Sequence, residues 1–156
     1  MSVEAWSTWE APLHLISTRL SGDLHLDDVE QWQDGLQQAV SQVEDDKYFN
    51  LLADLSGYEL HDMAAHRAMR GVIPQLLAAH GLRAAVFDLY PEVKVNLTRT
   101  RGIICRAYAN VHHDVDKMTE YERALGRANQ RFFTDAPVAR NWLLSLAGDS
   151  NGNGSK

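Results

Sequence analysis

The sequence predicts a single α/β domain, a mostly parallel sheet of four to five strands with helices packed on it, and three observations carry that prediction. Short apolar runs bounded by turn residues alternate with stretches of roughly 10 to 17 residues whose apolar positions recur at helical spacing, the pattern of strands joined by helices. The run YFNLLADL, Tyr48 to Leu55, is apolar almost throughout rather than alternating, as expected of a strand covered on both faces. The 156 residues, 45% of them hydrophobic, suit one core, and neither an internal repeat nor a linker divides them. The domain is expected over residues 12–147, after an N-terminal extension, 1–11, and before a disordered tail, 148–156, whose GDSNGNGSK has nothing to bury.

Each element is read from its own residues. PLHLISTRLSG, Pro12 to Gly22, alternates imperfectly and ends at a turn pair, giving the first strand. Asp27 followed by Glu30 is a capping-box pattern. It opens a helix whose Val29, Trp32, Leu36, Ala39, Val40 and Val43 share one face. YFNLLADL is the second strand. From Asp62 a second helix turns Ala65, Met69, Val72, Ile73, Leu76 and Leu77 inward and closes at Gly81; Gly71 and Pro74 predict a kink or break within it. LRAAVFDLY, Leu82 to Tyr90, reads as a third strand stopped by Pro91. Residues 91–130 must hold structure, since bare loops of that length are uncommon. There Leu97, Ile104, Tyr108 and Val111 share a helical stripe, while Ile103, Cys105, Ala107, Ala109 and Val111 fit a strand; helix is preferred for residues 96–110. Asp114 caps a helix carrying Val115, Met118, Tyr121 and Leu125, QRFFTD is a short strand, and Thr134 or Asp135 caps a last helix with Val138, Trp142, Leu143 and Leu146 inward.

Composition narrows the function classes. A formal net charge of -6 argues against a general nucleic-acid binder, which needs a positive field to neutralise phosphates. The start MSVEAWSTWEAP has an acid at Glu4 and lacks the basic and apolar regions of an export signal, and no apolar run approaches the ~18 residues of a membrane span. A cytoplasmic protein without a membrane span is therefore expected. The lone Cys105 has no thiol partner and sits among Ile103, Ile104 and Ala107, so it reads as a small buried hydrophobe. There is no glycine-rich phosphate loop, no nucleophile elbow and no serine or cysteine with a base beside it. Neither a catalytic residue nor a cofactor is expected, and the chain reads as a non-enzyme.

In order along the chain, LSGDLHLDDVEQW, LLADLSGYELHD, HGLRAAVF and RFFTDAPVARNWL, spread from about Leu13 to Leu146, resemble the STAS-like superfamily, the fold of sulphate-transporter cytoplasmic domains and bacterial anti-sigma-factor antagonists, in its sporulation-antagonist-like branch. The resemblance implies a regulatory domain that meets a protein partner or a second copy of itself. In the family's signalling members the loop after the second strand ends in an aspartate, followed by a serine or threonine that is phosphorylated at the next helix start. Free N–H groups and a partial positive charge favour phosphate there. Asp62 matches the aspartate, but Met63 stands at the acceptor position, with Ala64 and Ala65 at the small polar and glycine positions. Ser56 sits several residues too early to substitute. The resemblance thus implies the family's contact surface, at Tyr58, Glu59, His61, Asp62, Met63 and Arg67, without its phosphoswitch.

Three constellations carry chemistry. Arg99, Arg101 and Arg106 in LTRTRGIICR, with Arg67 and Arg70 on the preceding helix, are the one concentration of positive charge. Guanidinium forks bind carboxylates and phosphates bidentately, although pairing with neighbouring acids is the plainer use. If the kinked helix 63–80 and segment 91–112 cover a pocket, Ile73 and Leu77 near Arg101 or Arg106 would give it an apolar body and a charged rim, fit for a small anionic, amphipathic or lipid-like ligand. The sets His61, Asp62, His66 and His112, His113, Asp114 are weak metal candidates. Asp62 and Asp114 are also natural N-caps, and adjacent residues point apart, so the structural reading is favoured for both. Trp32 and Trp142 are core anchors on helical stripes, whereas Trp6 and Trp9 either cover the sheet edge or protrude.

Overall fold

A computed structural model describes residues 2–89, 92 and 94–152, apart from the side chains of 147–152. The chain opens with β1, Glu4–Glu10, passes through a 3-10 turn at Ala11–Leu13 and returns as β2, Leu15–Leu24. The two pair antiparallel along all of β1, from Glu4 opposite Ser21 to Glu10 opposite Leu15. The extension expected over residues 1–11 is thus part of the sheet. Its alternation turns Ala5 and Trp9 onto the core and leaves Glu4, Trp6 and Thr8 outside.

Helix α1, Leu26–Ser41, starts two residues earlier than an Asp27 cap would dictate, because the Asp28 carboxylate accepts from the His25 N–H at 2.9 Å. Its Trp32 is buried, and the indole N–H donates to Thr18 Oγ1 at 2.6 Å, which locks the helix to β2. Strand β3, Tyr48–Asp54, lies parallel to the first half of β2. A turn follows in which Asp54 Oδ1 accepts from both the backbone N–H and the hydroxyl of Ser56, and Gly57 takes φ 81°. It delivers a short strand, β4, Tyr58–Leu60, parallel to the end of β2. Nothing in the polar sequence of this loop announces a strand.

Asp62 Oδ1 accepts from the Ala65 N–H at 2.7 Å and starts α2, Met63–Ala79. The helix runs unbroken through Pro74, which removes the N–H that the Arg70 carbonyl would have used. The strand expected over Leu82 to Tyr90 does not form: Ala85–Leu89 is a 3-10 turn, and Tyr90 lies outside the described residues. Buried Gln130 explains the difference. Its side-chain oxygen accepts from the Ala85 N–H at 2.7 Å and its amide nitrogen donates to the Arg83 carbonyl at 2.8 Å, satisfying this segment without a ladder. The helix preferred for residues 96–110 is likewise corrected, since Ile104–Val111 is strand β5, parallel to β3. A register shift after Phe49 leaves Arg106 without a partner on β3 and breaks the alternation there.

Helix α3, Val115–Leu125, is capped by Asp114 Oδ1, which accepts from the Lys117 N–H at 3.0 Å. Strand β6, Gln130–Phe133, pairs parallel with β5, and α4, Ala136–Gly152, begins where Asp135 accepts from the Val138 N–H. Its backbone therefore continues past residue 147 into the expected tail, of which residues 153–156 lie outside the described residues.

The sheet order is β1-β2-β3-β5-β6, with β4 beside the end of β2. After β2 each crossover moves one place in the same direction. Right-handed connections therefore bring α1, α2 and α3 to one face. The main core lies there, with Ile16, Leu20, Trp32, Phe49, Leu51 and Leu77 essentially inaccessible. Helix α4 covers the other face through Ala139 and Leu143, against Leu15, Leu52, Ala107, Ala109 and Val111. An ion pair between Arg140 and Glu10, with N–O distances of 2.8 and 2.9 Å, ties α4 to β1.

Candidate functional site

Between α2 and α3, at the carboxyl ends of β3 and β5, lies a half-open cavity of about 190 Å³. Its apolar wall comes from Leu55, Leu60, Met69, Ile73, Met118 and Phe132. The origin of the space lies in the backbone. Gln130 holds residues 83–85 in an irregular path, so no strand fills the region between α2 and α3, and Ala84 and Ala85 present only methyl groups to it.

Polar groups enter at fixed places. His112 Nδ1 accepts from the Asp114 N–H at 3.0 Å, so the ring's proton is on Nε2, which donates to Tyr58 Oη at 3.2 Å. Burial, reinforced by His113 and Lys117, holds the His112 pKa down to about 4, so the ring is neutral at ordinary pH. Burial also raises the pKa of the Tyr58 hydroxyl and that of Tyr108. Two buried atoms of the lining, Asn110 Oδ1 and His66 Nδ1, meet no protein partner. Arg70 and Lys117 complete the lining, and among the described residues it contains no carboxylate although the chain is acidic. Arg70 and Pro74 also border a second, more open groove of about 680 Å³, where they are joined by Arg67 and Lys94.

The contact surface expected from the sequence divides into parts with different roles. Tyr58 lines the cavity, whereas Glu59 points outward on β4 opposite Asp23. His61 stacks on His25 with centroids 4.3 Å apart, and Asp62 caps α2. Met63 is 62% exposed. Arg67 lines the open groove, without an ion-pair partner among the described residues. The three later arginines are not brought together with it. Arg101 donates to Asp45 Oδ1 and to the Val43 carbonyl, both at 2.6 Å, and so ties down the end of α1; Arg106 lies over the Tyr48 ring at 4.3 Å. Arg99 bridges to His80 beside Gly81. All three lie toward the amino end of the sheet, so the expected rim of Arg101 or Arg106 around Ile73 and Leu77 is replaced by Arg70 and Lys117, and Leu77 is core.

Neither histidine set gathers as ligands: among the described residues no three of His, Cys, Asp and Glu converge on a metal position. His112 and His113 stack with centroids 4.2 Å apart, and His113 Nδ1 accepts from the Gly57 N–H. The residues that sequence reasoning missed are Asn110, Lys117 and Gln130. Asn110 carried a faint signal, as the one amide in the otherwise apolar end of ICRAYANV.

No family model, curated protein or solved structure matches this chain. Among the described residues no helix is long and apolar enough to cross a membrane.

Proposed function

We propose that the protein is a non-enzymatic binding module that takes a small amphipathic anion, its apolar part inside the cavity between α2 and α3 and its charge at the mouth. The observation that carries this reading is a half-open apolar cavity whose lining, among the described residues, holds cations at Arg70 and Lys117 and no carboxylate. A few polar groups converging on an apolar wall are the usual composition of a ligand pocket. The experiment is a thermal-shift screen of ring acids, short branched acids, phosphates, fatty acids and lipids. A ligand bound only to the folded state at a hundredfold excess over Kd adds about 2.7 kcal/mol of stability, a shift that is easily read. No shift across such a library rejects the reading.

A second reading, a STAS-like regulatory domain that binds a protein partner or pairs with itself, draws support from one observation. Met63 and Val115, exposed by 62% and 60%, begin α2 and α3 at the same end of the sheet. Met63 is also the position where the resembled family carries its phosphoacceptor. If this rim binds a partner, Met63→Asp with Val115→Asp abolishes an interaction that the unchanged chain shows in co-purification or sedimentation. Equal behaviour of the two proteins removes this reading.

A further inference from the structure

We propose that the cavity's ligand is a hydroxy acid on a single small ring, its hydroxyl meeting the side-chain oxygen of Asn110 and its carboxylate held by Arg70 and Lys117 at the mouth; this rests on the small-ligand reading above. Size selects the body. An apolar cavity of about 150 Å³ is known to take benzene, so the roughly 190 Å³ here suits one ring with a small substituent and is too small to hold a long acyl chain whole.

Hydrogen bonding selects the substituent. Most polar groups in the lining are already engaged: Gln130 uses both ends of its amide on the backbone of 83–85, and both His112 nitrogens are committed. Asn110 Oδ1 is buried without a protein donor, so a group on the ligand that carries a proton satisfies it, whereas an ether or a bare ring leaves it stranded. Tyr58 adds a second condition. Its oxygen accepts from His112 Nε2, which leaves the phenolic proton free to donate. A hydroxyl, both donor and acceptor, answers Asn110 and Tyr58 alike, while an ammonium offers no acceptor.

Charge selects the remaining group. Arg70 has no ion-pair partner among the described residues, and Lys117 faces the Tyr121 ring at 5.5 Å rather than an acid. A carboxylate at the mouth meets two cations there without being buried.

The test compares 4-hydroxybenzoate, benzoate and 4-methoxybenzoate by calorimetry on the full chain. The expected result is that the hydroxy acid binds at least tenfold more tightly than either of the others. Asn110→Leu should collapse that ratio toward one, while Arg70→Gln weakens hydroxy acid and benzoate alike. Equal binding of benzoate and 4-hydroxybenzoate overturns the inference and leaves the cavity reading standing. Tighter binding of the methoxy acid overturns it too, because Asn110 would then be presenting its N–H. If none of the three binds while another class in the thermal-shift screen does, the inference falls alone; if the screen is also blank, both fall. The ratio measured on the unchanged chain decides the matter even if Asn110→Leu does not fold.

Discussion

Met63 stands in the first turn of α2 with most of its surface in solvent, and Asp62 rather than Met63 fixes the helix start. Replacing it by serine therefore removes little packing. Met63→Ser should cost no more than about 0.5 kcal/mol in a urea titration, the range of surface substitutions; a loss of several times that would mean the methionine serves the core. His112 makes a prediction about pH. Its folded pKa, about 4, lies below its ordinary value, so between pH 6.5 and 4 the unfolded chain binds the proton more readily and stability falls as pH falls through that window. Solvent screening of a partly buried ring limits the loss to about 1 to 2 kcal/mol. His112→Gln should flatten that part of the stability curve, and an unchanged slope would show that His112 does not govern it. Cys105 is buried and its thiol pKa is pushed up by desolvation, so it should resist a thiol reagent until the protein is unfolded.

The segment between α2 and β5 shows how one side chain decides an element. Gln130→Leu keeps the volume but strands the Ala85 N–H and the Arg83 carbonyl, so a loss of about 3 kcal/mol is expected in denaturant, with faster hydrogen exchange at Ala85. This is also where legibility in the sequence ends. The helices α1, α2, α3 and α4 and the strands β2, β3 and β6 follow from local periodicity and from Asp62, Asp114 and Asp135, whose capping bonds form as expected. LRAAVFDLY has the composition of a strand, yet its backbone partner is a side chain from β6, 45 residues from Ala85, which no local pattern encodes. In β5 a strand spacing and a helical one could both be read from the apolar positions, because both faces of the strand are covered and Tyr108 is buried beside the alternating set. Of the cavity, the wall that α2 gives through Ile73 was legible, but its polar lining was not: Asn110, Lys117 and Tyr58 come from three elements whose meeting depends on the sheet order.

At the scale of the molecule, β1 is the element whose weight sequence reasoning misjudged. It covers the edge of β2 from Leu15 to Ser21, places Ala5 and Trp9 on the core, and holds α4 through Glu10 and Arg140. A chain lacking residues 2–11 should lose more than about 10 °C in melting temperature or become insoluble, because a long apolar strand edge is uncovered; a soluble product melting like the full chain would make β1 dispensable. The stepwise order from β2 to β6 has a further consequence, in time rather than in space. A ribosome delivers about 5 to 20 residues each second, so β5 leaves it roughly 3 to 11 s after β3. Each strand then finds its neighbour already laid down, and the sheet can grow by addition at a single edge. Throughout that interval β3 is the growing edge of a nascent chain and has no neighbour on that side, which makes it the place where a chaperone, or another nascent copy, would first take hold.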